Sequence, residues 1–168
     1  MAPERIAAFG YAYVALALPA FLLGDDHRGA QSALFAAATF AFLWFLASLR
    51  ARLVRYDPDG FFAGIVAMGG AAVIALQAAT LLLDQAAFTA SAAACAAAVI
   101  IGSSLAALRA RKVDRWFGRA GLAGGLVVLV VGLIEGAASW TLGSDGTSAS
   151  LLGFMIWVVV TATYLLRR

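Results

Sequence analysis

Charge is what this chain has least of. Charged residues make up 12% of its 168 positions and hydrophobic residues 64%. A soluble domain carries roughly 25% charged residues. The deficit leaves too little polar surface to coat a water-exposed globule, and the mean hydropathy of +0.94 agrees. Lipid must cover most of this protein. The chain also has one cysteine, Cys95, and one histidine, His27. That excludes an intramolecular disulfide, a bis-histidine haem and a Cys/His zinc set. Phosphate loops, G-x-S-x-G and dinucleotide fingerprints are missing too. No cofactor is expected, and a redox or ATP-driven activity would have to come from a partner. Cys95, inside an alanine-rich run, reads as a small buried hydrophobe.

What is present is long apolar runs. Crossing roughly 30 Å of hydrocarbon takes about 20 apolar residues. Six runs qualify, at about 6–23, 30–49, 60–83, 86–108, 120–142 and 149–166. The expected fold is all-α, a six-transmembrane-helix bundle forming one domain over 1–168. The first run follows Arg5 and is read as a retained helix rather than a cleaved signal. Polar breaks separate the runs. In Asp57-Pro58-Asp59-Gly60, proline presets a turn and Asp59 is placed to cap the third helix.

The basic residues orient the chain. Arg5, Arg50, Arg52, Arg55, Arg109, Arg111, Lys112, Arg115, Arg119, Arg167 and Arg168 fall on one face, eleven of the twelve, and Arg28 alone on the other. The positive-inside rule puts both termini and both basic loops in the cytoplasm of a cell (inner or plasma) membrane. This placement accounts for the net charge of +3 without nucleic acid, which is not an expected partner. The basic loops can touch anionic lipid headgroups. The other face is mainly acidic, with Asp25, Asp26, Asp84 and Asp145.

The chain resembles itself. Leu46–Arg52 (LASLRAR) and Leu105–Arg111 (LAALRAR) agree at six of seven positions, at an offset of 59. The last run ends similarly, in Leu165-Leu166-Arg167-Arg168. This predicts three tandem helical hairpins, about 1–59, 60–118 and 119–168, all entering the membrane in the same direction. Glycine pairs Gly60/Gly64, Gly121/Gly125 and Gly132/Gly136 have the spacing that lets helices approach closely. They serve packing within the chain, or a homo-oligomer.

Glu135 is the pointed residue. It lies about sixteen residues into the fifth run, roughly 24 Å deep at 1.5 Å per residue. A carboxyl there costs on the order of 2.5–3.5 kcal/mol at mid-membrane, less near an interface. One reading makes it a proton donor in a polar chamber. The other makes it interhelical glue, satisfied by Gln77 or a serine. Steps of 58 residues lead back from Glu135 to Gln77 and then Pro19. Gln77, Thr80 and Asp84 share a helix face. Asp84, Asp25 and Asp26 are candidate bases. Trp44, Trp140, Trp157 and Tyr164 could line an apolar pocket, although aromatics near span ends commonly anchor at the interface.

These residues lead to three expectations. The first is a cofactor-independent acid/base enzyme of isomerase or cyclase type, acting on a lipophilic small molecule through Glu135. The second is a solute-binding or transport subunit. The third is a structural subunit of a larger membrane complex. Membrane lipid is a partner in all three.

Overall fold

The computed structural model describes residues 3–23, 27–57, 59–83, 88–110, 113–142 and 149–167. It contains six helices: α1 (Pro3–Leu22), α2 (Arg28–Leu53), α3 (Phe61–Leu83), α4 (Phe88–Arg109), α5 (Arg115–Leu142) and α6 (Ala149–Leu166). No strand occurs among the described residues. Five helices, α2 to α6, are long and apolar enough to cross a membrane. In α1 the apolar stretch is the shorter Ile6–Leu22, because Glu4 and Arg5 occupy its first turn. The protein is thus an all-helical chain with the features of a multi-pass membrane protein.

Two further helices also run beyond their apolar runs. Helix α2 continues through Arg50 and Arg52 to Leu53, and α5 begins at Arg115. Hydropathy ends where arginine begins, but arginine is a good helix former, so the backbone ladder continues. Asp114 stands immediately before α5, and its carbonyl accepts from the Phe117 amide at 3.0 Å.

The chain divides into two compact units, and α2 and α6 each contribute to both. The first comprises Met1–Leu49 with Met155–Arg168. Its interior is aromatic. Tyr13 packs on Phe42 with ring centroids 4.6 Å apart and Phe42 stacks on Phe45 at 6.2 Å, while nearer the surface Phe9 stacks on the exposed Trp44 at 5.7 Å. Gly10 makes room for them, since a Cβ there would lie 3.0 Å from Ala162 and 3.1 Å from Phe45. A hydrogen bond of 2.8 Å between the Tyr11 hydroxyl and Thr163 Oγ1 ties α1 to α6.

The second unit, Arg50–Phe154, is packed with small residues instead. Helix α4 contacts both α3 and α5. Cys95, Val99 and Gly102 meet α3, whereas Ala90, Ala93, Ser104 and Leu108 meet α5. At 100° per residue these sets lie on opposite sides of α4. Its most apolar stretch is 61% buried, against 22% for α5. Helix α5 turns glycine to α4: a Cβ would lie 2.5 Å from Leu108 at Gly118, 2.7 Å from Ile101 at Gly125 and 2.5 Å from Ala90 at Gly136. At Gly121 it would strike Ser104, and at Gly132 it would strike Ala93. The outward side of α5 carries exposed Leu126, Val127, Val130, Leu133 and Ile134. Small residues inside and large aliphatic residues outside suit lipid, which solvates leucine as well as a protein core does.

The glycine pairs therefore separate. Gly121/Gly125 and Gly132/Gly136 pack helices within the chain. Gly60/Gly64 does not, because added Cβ atoms there meet nothing within 4 Å. Gly60 has φ +67°, a left-handed turn conformation that suits glycine.

The cap of α3 also differs from the sequence expectation. Asp57, not Asp59, caps it. Asp57 is 0% exposed. Its Oδ2 accepts from the Phe62 amide at 2.6 Å and the Ala63 amide at 3.0 Å, while Asp59 is exposed. The turn closed by the Gly60 amide on the Asp57 carbonyl, 2.9 Å, carries the earlier aspartate back to the helix start. Losing a cap typically costs about 0.5–2 kcal/mol. Asp57→Ala is expected at the upper end, because two amides lose their acceptor. Asp59→Ala should stay within about 0.5 kcal/mol of the parent. Thermal unfolding of the two variants in detergent checks this.

Candidate functional site

Glu135 lies in the last third of α5, half-buried, and reaches the start of α6. Its Oε1 accepts from the Ala149 amide. Its Oε2 accepts from the Ser150 hydroxyl at 2.7 Å and, more weakly, the Ser150 amide at 3.4 Å. Ala149 and Ser150 are the first two residues of α6, where amides lack intrahelical partners. α6 has no acidic residue in its own first turn, so α5 provides one from outside. A carboxylate also matches the positive end of a helix dipole. A serine, one of the partners the sequence offered, is thus among the groups that Glu135 engages. Glu135 and Ala149 stand fourteen residues apart in the sequence.

Gln77 and Glu135 both belong to the second unit, but Glu135's hydrogen bonds above run to α6. Gln77 is 5% exposed, and its Nε2 has no hydrogen-bond partner among the described residues. The aromatic candidates fall in the first unit. Trp44 is exposed and stacked on Phe9, Trp157 is buried, and Tyr164 is half-buried. Asp25, Asp26 and Asp84 lie outside the described residues, as does Asp145. Thr80 sits on α3 and Trp140 on α5.

A cavity lies elsewhere, between α3 and α4. It is a shallow groove of about 600 Å³ lined by Gly60, Phe61, Gly64, Ile65, Met68, Gly69, Ala94, Cys95 and Ala98. Gly64 and Gly60 form its floor by default, because a missing side chain leaves space. Phe61 and Met68, 63% and 77% exposed, rise at its rim. Cys95 is half-buried in this lining, not the enclosed hydrophobe its surroundings in the sequence imply. The groove shares no lining residue with the candidates drawn from the sequence. Its components read there as a helix-packing glycine pair and an anonymous alanine run.

At one end of the groove stands a cation. The Arg109 guanidinium carbon is 4.5 Å from the centroid of the Phe62 ring, and Phe62 packs edge-on against Phe61 at 5.4 Å. Arg109 ends α4, where a positive charge also offsets the helix dipole.

Comparison with protein-family models, with curated proteins and with solved structures returns no match.

Proposed function

We propose that this is a six-span membrane protein whose α3–α4 groove holds a lipophilic molecule, making it a binding or carrier subunit. In this reading α1 crosses with the other five helices. The spans form three tandem hairpins, and the basic loops and both termini face the cytoplasm, as the arginine distribution favours. The groove carries the reading. Its size falls within the roughly 300–1,000 Å³ usual for small-molecule sites, and its lining residues are all apolar or glycine. Such a lining offers no carboxyl or imidazole for proton transfer, only the Cys95 thiol, so acid/base chemistry is the weaker reading. Glu135, engaged as a helix cap, supports the same choice.

Cys95 provides the test, since it is the single cysteine and lines the groove. In detergent, monoolein should slow N-ethylmaleimide modification of Cys95 several-fold. Gly64→Leu, which fills the groove without striking a neighbour, should slow it without monoolein. A modification rate indifferent to both would remove the groove from consideration.

A further inference from the structure

The groove has a direction. Gly60 immediately precedes α3, Phe61 begins it, and Gly69 is the furthest lining residue along it. Nine residue steps at 1.5 Å make roughly 14 Å. That is close to half of the roughly 30 Å hydrocarbon thickness. A groove of this length matches the depth of one leaflet rather than the whole membrane. Its Phe61 end is the end of α3 that follows Arg55 and the Asp57 turn.

The same end carries Arg109. Through Phe62 and Phe61, whose contacts measure 4.5 Å and 5.4 Å, its guanidinium lies at most about 10 Å from a ring that lines the groove. Arg109 is exposed and makes no ion pair among the described residues. Held over an aromatic face, a guanidinium keeps its in-plane N–H donors available, and these match phosphate oxygens. The nearby Asp57 carboxylate is buried, and its Oδ2 is committed to the α3 amides. The exposed charges on this turn include Arg55 as well as Asp59.

We infer that the groove takes one acyl chain of an anionic phospholipid, with the phosphate at Arg109. This rests on the groove being a lipophile site. It adds the class of molecule, the leaflet and the residue that reads the headgroup. The apolar lining accepts any chain of suitable length. Selectivity comes from the cation at the mouth, and the aromatic pair Phe61/Phe62 marks the boundary between tail and headgroup.

Native mass spectrometry of the detergent-solubilised protein tests it, with phosphatidylglycerol and phosphatidylcholine of identical acyl chains as probes. The parent should retain phosphatidylglycerol about fivefold better, the roughly 1 kcal/mol that one basic residue contributes at a membrane surface. Arg109→Gln should bring the two lipids towards parity, lowering phosphatidylglycerol retention more than that of phosphatidylcholine, whose phosphate is already offset by its choline cation. Arg109→Lys should keep part of the preference. Gly64→Leu should reduce both lipids, and Ala98→Leu, filling from α4, repeats that experiment should the first variant not fold. Equal retention of the two lipids by the parent, with both reduced by Gly64→Leu, overturns the anionic inference and keeps the groove. Lipid retention unaffected by both filling variants overturns the groove as well. Loss of a dimer in those variants with lipid retention intact assigns the face to a second copy of the chain, and likewise overturns it.

Discussion

Replacing Gly132 with leucine is expected to leave no recoverable folded protein. Three helices meet at this position. A Cβ would strike that of Ala93 on α4, and it would lie 3.5 Å from the Cβ of Ser150 on α6. Neither neighbour is the flexible end of a long side chain, so relief requires moving a backbone. Overpacking of a tight core costs about 1–3 kcal/mol for modest additions. Gly132→Ala should fall in that range despite alanine's better helix propensity. Leucine adds three further carbons and exceeds it, against a total stability of about 5–15 kcal/mol for ordinary domains. Gly124→Leu is the control. It lies on the same helix, is exposed, and meets nothing within 4 Å. That variant should match the parent or gain a little, since glycine in a helix interior costs roughly 0.5–1 kcal/mol relative to alanine. Thermal unfolding and recovery from size-exclusion chromatography distinguish them. Equal behaviour of the two leucine variants would mean that the α4–α5 contact is not close.

Glu135→Ala should cost about 2 kcal/mol, within the roughly 1.5–3 kcal/mol typical of hydrogen bonds to a charged group. The Ala149 and Ser150 amides and the Ser150 hydroxyl all lose their acceptor, and Ser150 is buried. Glu135→Gln keeps one oxygen and should cost about half as much. The diagnostic readout is local. Hydrogen exchange at the first turn of α6 should accelerate strongly in the alanine variant and less in the glutamine variant, while α3 is untouched. A proton donor behaves differently: alanine and glutamine would abolish turnover equally, with the α6 amides still protected. The experiment thus weighs the capping and catalytic readings of one residue directly.

Much of the helical layout was legible because hydrophobicity and helix signals reinforce each other. The polar breaks at Arg50–Asp59 and Arg109–Arg119 bound the helices to within a few residues, and the departures occur where arginine keeps a helix going after apolarity ends. The capping groups were harder to read. Asp57 and Asp59 are equivalent as sequence, and only the path of the turn through Gly60 selects the first. Glu135 caps a helix it does not belong to, so no local window contains both partners. The glycine pairs show the same limit. Their spacing predicts a smooth face in all three cases, but which face meets a neighbour depends on the rotation of the whole helix. Two pairs met α4 or its flank, and the third was left open as a groove. Gln77 was singled out by its 58-residue step from Glu135, and Trp44 and Trp157 by residue type, but the fold divides them between two units.

The glycine face of α5 has a mechanical consequence. Two helices with side chains on both surfaces interlock, and their teeth set the register. Here most teeth are on α4, and much of α5 opposes them with bare backbone. A smooth rail resists sliding poorly. Polar attachments must then act as stops, and the Glu135 clasp on Ala149 and Ser150 is placed to be one, near the end of the rail. Cutting it should do more than fray α6: it should let α5 slip lengthwise past the first turn of α6, so that crosslinks between α5 and that turn form at several registers instead of one.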